Sequence, residues 1–524
     1  MVKELMAWLN LGEILGVHAK KHPTKLAVKD WCDKALTYSE LDIRTNKLAN
    51  GLLNMGLGKG DRVAVMLCNC SEFVEIYCAS AKAGLVATPV SWRYVGREIE
   101  YVVDNSDAKA MIICEDFVNT INQLRPRLDK ISSKNYIVAG ETTPEGYTNY
   151  EDLIVNSPDH NPDVKVDSKD TWAQIYTSGT TGFPKGVVRS HESYVAFFMI
   201  NAAEFGFSEK DYGMIIMPLF HVNSTFYGLL FLYIGASLFV GRDKGFDPVE
   251  LLSIVDREKI TFISLIPTHY SLILETPEET RRRFNTSSLH KLLCSSAPVR
   301  SQIKRGILKC FHGVELYEGY GSTEAGLVTI LKPEDQLRKI GSMGRECLGV
   351  DLIKVLDEDG REVGIEEIGE LYSKGQMMFD EYYRMPKKTK VSFRGEFFSA
   401  GDLVKRDEEG YYYIVDRKDN MIITGGEHVY PSEVEEIISR HAKVRDIAVV
   451  GLPDDKWGEA VTAVVVLKNG ENATEEEIIK WCRGKITGYK KPKRVIFINY
   501  SEMPRAATGK ILHRKLRERF AEAL

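Results

Sequence analysis

Between residues 175 and 186 the chain reads "IYTSGTTGFPKG". Four hydroxyl side chains, Thr177, Ser178, Thr180 and Thr181, stand among the glycines Gly179 and Gly182 and are followed by Lys185. Glycine-freed backbone, hydroxyls and one ammonium together make a cradle for phosphate oxygens. The arrangement is not a Walker loop. Counted from Gly179, the pattern G-x-x-x-x-G-K-[ST] needs glycine where Pro184 stands, and Lys185 is followed by Gly186 instead of a hydroxyl residue. The chemistry indicated is nucleotide chemistry of another kind. Zinc is not indicated: of nine cysteines, Cys68 and Cys70 lie two apart, and nothing elsewhere completes a ligand set. They read as reduced structural thiols, which suits the cytosol.

A chain of 524 residues exceeds one compact core, so at least two domains must position such a loop. Hydrophobic content of 44%, charged content of 27% and a net charge of -5 are those of an ordinary globular protein, with no global attraction to nucleic acid or anionic membrane. The amino terminus carries Glu4 and Glu13 among its apolar residues and lacks a small-residue cleavage signature, so it reads as part of the mature protein. Residues 213–241 hold no Asp, Glu, Lys or Arg. Pro218, His221, Asn223, Ser224 and Thr225 divide that stretch, leaving about 15 apolar-rich residues where a spanning helix needs about 20. A buried strand, loop, helix and strand is expected there.

Short β-branched runs, "RVAVML", "AMIIC" and "TFISLI", alternate with helix-like segments such as "SEFVEIYCASAKAG". This alternation predicts α/β architecture with mostly buried strands. From about residue 366, "GELYSKG" and "GYYYIVDR" read as half-exposed strands joined by charged turns, and a smaller α+β unit begins after "RKDN" at 417–420. In that unit Ser432 with Glu435 predicts a capping box, followed by Val434, Ile437, Ile438 and His441 on one helical face. Thr474 with Glu477 predicts a second cap, and "DIAVVGL" and "AVTAVVVL" predict strands between them. The expectation is a large multi-subdomain α/β domain over 1–418 and a small mobile α+β domain over 419–524.

Five separated motifs agree in order and spacing: "IYTSGTTGFPKG" at 175–186, "EGYGSTE" at 318–324, "SAGD" at 399–402, "VDRKDNMIITGGE" at 415–427 and "PRAATGK" at 504–510. Together they resemble the adenylate-forming superfamily, and within it the AMP-forming acyl-CoA synthetases, over nearly the whole chain. The resemblance implies that a carboxylate attacks the α-phosphate of ATP, giving acyl-AMP and pyrophosphate, and that the thiol of coenzyme A then displaces AMP. Both steps bring negative charges together, so donors and cations around the phosphates are needed. By resemblance, the 177–182 loop and Lys185 hold the β and γ phosphates. Gly319 and Gly321 let backbone approach the nucleotide, Tyr320 faces adenine, and Glu318 and Ser322 belong to the same wall. Thr323 contacts the α-phosphate and Glu324 binds magnesium.

The resemblance also makes Asp402 and Arg417 ribose partners, and "SSAPV" at 295–299 an adenine-side turn with Ala297 and Pro298. Lys510 carries adenylation, bridging the substrate carboxylate and the ribose–phosphate oxygens. His221, in "PLFHVNS", gates or polarises the carboxylate site, while an ordinary core histidine is the competing reading. Asp419 is the pivot about which the small domain turns between half-reactions, and Gly425, Gly426 and Glu427 face pantetheine in the second orientation. One departure stands out: Asn420 occupies the place of the usual final aspartate of the hinge motif, which puts the hinge's hydrogen bonding in question.

The expected activity is therefore that of a free-standing acid–CoA ligase with ATP, magnesium and coenzyme A. With 14 residues after Lys510, no fused carrier domain is expected, which favours coenzyme A over a carrier-protein thiol as acceptor. The presence of Lys185, Glu324, Asp402, Arg417 and Lys510 argues against a nucleotide-binding regulator without catalysis. The charge-free 213–241 stretch favours a hydrophobic acid, fatty or aryl, over a polar betaine. Expected partners are a small carboxylic acid and no nucleic acid, with monomer and homodimer left open.

Overall fold

A computed structural model describes residues 10–177, 184–296, 299, 301–350, 353–506 and 509–521. The chain divides into two units, Met1–Ile340 with Glu346–Leu352 and Lys374–Glu396, and Gly341–Arg345 with Ile353–Ser373 and Phe397–Leu524. The expected small domain 419–524 lies inside the second unit, which also takes in segments from 341 onward.

The first unit holds two large sheets. One includes, in order, Gly326–Leu331, Glu315–Ser322, Lys291–Ser295, Phe262–Leu265, Tyr212–Ile215, Ser237–Val240, Leu26–Asp30 and Ala35–Thr37. Its centre is parallel, with antiparallel pairs toward either side. The other runs Glu381–Tyr382, Lys185–Ser190, Thr171–Thr177, Val86–Pro89, Arg62–Met66, Ala108–Cys114, Tyr136–Ala139, Thr148–Asn149. Parallel strands covered on both faces need continuous apolar sequence, and Phe262–Leu265 and Val86–Pro89 are buried at every residue.

The helix Ser71–Ala83 is buried nearly all round, as an element enclosed by others must be. Its Tyr77 hydroxyl donates to Leu219 O at 3.1 Å beside the first sheet, while Trp172 Nε1, from the second, donates to Tyr77 O at 3.0 Å. The charge-free stretch folds as expected: strand Tyr212–Ile215, helix Val222–Tyr233 and strand Ser237–Val240. Among the described residues no helix is long and apolar enough to cross a membrane.

The second unit contains a sheet of Lys354–Leu356, Gly369–Tyr372, Asp402–Arg406 and Tyr412–Arg417, and another in which Val444–Asp454 and Gly458–Leu467 form a long antiparallel pair. Val434, Ile438, Val449, Val461 and Ile478 fill the core against the latter sheet. Thr474 caps its helix by accepting from Glu477 N at 3.2 Å. The Ser432 cap is not formed. The helix Pro431–Ser439 starts from Tyr430 with proline in its first turn, a position where the missing N–H costs nothing. Ser432 instead donates its N–H to Asp416 Oδ2 at 2.9 Å and its hydroxyl to Val415 O. The buried carboxylate of Asp416 requires donors and takes those of the turn. The helix ends at Ser439, so His441 lies beyond it instead of on its face.

Candidate active site

The first cluster lies in the first unit, on the strand Lys185–Ser190. It pairs Thr177 with Lys185 on one side and Tyr382 with Val187 on the other. Residues directly opposite share a face, and alternate residues of one strand share it too. Thr177, Lys185, Arg189 and Tyr382 are thereby brought to one face. The Lys185 ammonium lies 4.3 Å from the centre of the Tyr382 ring and donates to its hydroxyl at 3.2 Å. That hydroxyl donates to Glu324 Oε1 at 2.7 Å, and Lys185 Nζ stands 3.7 Å from the same oxygen. Thr177 Oγ1, in register beside Lys185, is buried with no hydrogen-bond partner among the described residues.

Glu324 and Thr323 sit in the turn between Glu315–Ser322 and Gly326–Leu331, which glycine makes possible. A Cβ on Gly321 would fall 2.0 Å from Gly326 O, and Gly326 has φ of 75°. Ala325 N donates to Ser322 Oγ at 3.0 Å inside the turn. Arg189, fully buried, donates to Thr323 O at 2.6 Å and to Met377 O, and Phe379 N donates to Glu324 O at 2.7 Å. The turn's backbone is thus fixed from behind while the Glu324 carboxylate faces Lys185. Burial pushes the Arg189 guanidinium down to about 10, still charged at neutral pH. Its Cζ lies 4.8 Å from the centre of the Phe226 ring, on the helix Val222–Tyr233.

Along Glu315–Ser322 the alternation sends Glu318 and Tyr320 to one face and Gly319 and Gly321 to the other. Tyr320 is half-buried, and Glu318 forms a buried ion pair with Lys304 of the helix Ser301–Cys310. Burial holds the Glu318 carboxyl above its ordinary range, opposed by Lys304. His221 is the residue before Val222–Tyr233. Burial, with Arg93 acting the same way, pushes its imidazole down to about 4, so it is neutral. Beside it Asn223 donates to Ser295 Oγ and accepts from Ser264 Oγ, both at 3.0 Å. Ser178, Gly179, Thr180, Thr181, Gly182, Ala297 and Pro298 lie outside the described residues.

The second cluster lies in the second unit. Antiparallel register sets Asp402 opposite Arg417, and Arg417 Nε donates to Asp402 Oδ1 at 3.0 Å. Near Lys510, Ala506 N donates to Lys510 O at 2.8 Å, Gly509 adopts φ of 77°, and Arg505 bridges to Ile511. Burial, with Arg417 pushing the same way and Asp402 and Asp416 opposing, brings the Lys510 ammonium down to about 8.

Asp419 is exposed in the short 3-10 turn Lys418–Asn420. Asn420 Nδ2 donates to Asp416 Oδ1 at 3.3 Å, which accounts for the departure at this position: an aspartate would set two carboxylates against each other. Gly425 and Gly426, with φ of 59° and 85°, make the turn before Glu427, and Gly425 N donates to Trp457 O at 2.7 Å.

Sequence reasoning missed Arg189, Tyr382 and Asp416. Arginine at Lys185+4 in a strand shares its face, a period-two signal that was there to be read. Tyr382 lies 197 residues from Lys185 and gives no local signal.

A lysine beside a fixed carboxylate in the first unit, and an Asp–Arg pair with a half-buried lysine in the second, accord with what the sequence motifs led us to expect. The chain belongs to the AMP-binding enzyme family: the AMP-binding enzyme model matches residues 15–383, and that of the AMP-binding enzyme C-terminal domain matches 433–510. It is an AMP-forming acid–CoA ligase that binds ATP. It is 32% identical over 516 residues to the long-chain-fatty-acid–CoA ligase FadD13 of Mycobacterium tuberculosis, covering 98% of this chain and 99% of that one. To the feruloyl-CoA synthase of an Amycolatopsis species it is 33% identical over 492 residues, 93% and 94% of the two chains. Among solved structures, the anthranilate CoA ligase AuaEII in complex with anthranoyl-AMP matches with TM-score 0.89 and 27% identity over 100% of both chains. ATP-bound MatB from Rhodopseudomonas palustris matches with TM-score 0.86 and 29% identity, covering 98% of this chain and 100% of that one.

Proposed function

We propose that this ligase activates a hydrophobic carboxylic acid, fatty or aryl, and that the two clusters divide the work of its adenylation. The observation carrying the acid class is the helix Val222–Tyr233, which has no charged side chain and is buried from Ser224 to Leu232. An acid bound along it meets Phe226 and leucine side chains, with neutral His221 and the Asn223 amide as polar groups. The relatives named for fatty, feruloyl and anthranilate substrates accord with this class.

In the first half-reaction a carboxylate oxygen attacks the α-phosphorus, and the bond to the pyrophosphate oxygen breaks. Thr177, Ser178, Gly179, Thr180, Thr181, Gly182 and Lys185 hold the β and γ phosphates. The orphaned Thr177 hydroxyl beside Lys185 fits such an acceptor-rich ligand. Thr323 contacts the α-phosphate, Tyr320 with Ala297, Pro298, Glu318, Gly319, Gly321 and Ser322 walls the adenine side, and Asp402 and Arg417 hold the ribose. Lys510 offsets the charge that the attack creates. A single carboxylate, Glu324, with no larger acidic cluster among the described residues, fits magnesium, which binds one or two carboxylates together with substrate phosphates. Held there, the ion neutralises phosphate charge. In the second half-reaction the segment 419–524 turns about Asp419, and Gly425, Gly426 and Glu427 admit the thiol, which attacks the acyl carbon and expels AMP.

The test is a panel of fatty, aryl and betaine-like acids assayed for CoA-dependent AMP release. Fatty or aryl acids are expected to give the highest kcat/KM; a preference for the betaines would overturn the acid assignment.

A further inference from the structure

The described residues on either side of Lys510 are tied down. Before it, Arg505 pairs with Asp446 of the strand Val444–Asp454 and donates to Gly509 O at 2.7 Å. After it, His513, first residue of the helix His513–Ala521, places Nε2 2.7 Å from Glu435 Oε1. Glu435 also accepts from Val449 N at 2.8 Å, so its carboxylate is fixed by the sheet. Its helix begins on Asp416, which takes the Ser432 N–H and the Asn420 amide. Three carboxylates, Asp402, Asp416 and Glu435, thus share this region with three cations, Arg417, Lys510 and protonated His513. Of these, His513 and Lys510 can change charge near neutrality, whereas Arg417 stays charged.

Resting on the reading of Lys510 as the adenylation residue, we infer that His513 is a positioning residue for it. As an imidazolium paired with Glu435 it pins the chain just after Lys510, and on losing its proton it releases that anchor, so that adenylation weakens while thioester formation does not. The groups facing it are Glu435 from the helix Pro431–Ser439, Asp416 from the strand Tyr412–Arg417, and Lys510 from its own loop. Burial, the largest influence, lowers the imidazole's pKa, but Glu435 and Asp416 more than reverse this and leave it raised. A histidine with a raised pKa keeps its pairing below that value and loses it as pH climbs through it. The Lys510 ammonium is itself lost as pH rises through about 8. Adenylation should therefore fall on the alkaline side through two groups, His513 and Lys510.

The experiment measures pyrophosphate exchange and thioester formation from preformed acyl-AMP, from about pH 6 to about pH 9.5, a range spanning both groups. His513→Arg, permanently charged, is expected to keep the full acid plateau and to show one alkaline step, that of Lys510. His513→Gln, a stand-in for the neutral ring, is expected to lower the exchange plateau about tenfold, as one unit of differential protonation would, and to leave Lys510 as the one group whose titration shapes the profile. Acyl transfer should be unchanged in both. By NMR, Glu435→Gln should lower the His513 imidazole pKa. Wild-type profiles in both His513 variants, equal loss of both half-reactions, or an imidazole indifferent to Glu435→Gln would overturn the inference. Lys510→Ala separates the two readings: persistent exchange removes the lysine's role and this inference with it. Abolished exchange alongside wild-type His513 profiles removes the inference alone.

Discussion

Arg189 is a cation used for its geometry more than its charge. Its fork reaches the carbonyls of Thr323 and Met377 from a fully buried position, and no lysine could present two donors so fixed. Arg189→Met should leave both carbonyls buried without that donor, at about 1–3 kcal/mol each. The expected result is a lower urea midpoint together with a raised KM for ATP, because the Glu324 turn loosens; an unchanged midpoint would show that the turn holds itself. Lys185, Glu324, Asp402, Arg417 and Lys510 were legible in the sequence because each sits inside a short motif. Arg189 and Tyr382 do not. Arg189 carried only the period-two signal of its strand, and Tyr382 reaches the site because a two-residue strand, Glu381–Tyr382, pairs with Lys185–Ser190 from far along the chain.

At the scale of elements, strands and helices with continuous or periodic apolar sequence formed where expected, from "RVAVML" to "AVTAVVVL". The Ser432 cap failed because capping residues compete with tertiary acceptors, and the buried Asp416 outcompeted the helix start. Such a contest is invisible to a local pattern. The turn at Gly425 and Gly426 shows the opposite case, a local signal with a tertiary reason. A Cβ on Gly425 would lie 3.0 Å from Trp457 Cε3, whereas one on Gly426 would meet nothing within 4 Å. Both positions have positive φ, so alanine costs about 1–2 kcal/mol of backbone strain at either. Gly425→Ala should depress thioester formation further than Gly426→Ala, with pyrophosphate exchange near wild type in both. Equal effects on the thioester step would show that the Trp457 contact is immaterial.

Over the whole molecule, the two half-reactions supply the check on the proposed pivot. A 3-10 turn has φ of about -50 to -70°, and proline fixes φ at about -65°. Asp419→Pro is therefore compatible with the turn described here and hinders departure from it. Pyrophosphate exchange should persist while acyl-CoA formation falls about tenfold or more, as for a gated conformational step. Circular dichroism excludes misfolding, and wild-type rates in both assays would move the pivot elsewhere along 417–420. The division into units was less legible than the fold class, because segments near 341–345 and 353–373 pair with strands downstream of 397. Arg189 has one more consequence, for how such an enzyme can be diversified. Its guanidinium lies against Phe226 on the proposed acid side and grips the turn that carries Thr323 and Glu324. Enlarging the acid site by shrinking Phe226 would thus disturb the nucleotide side as well. Variant libraries that spare this one contact can explore new acids at less expense to turnover.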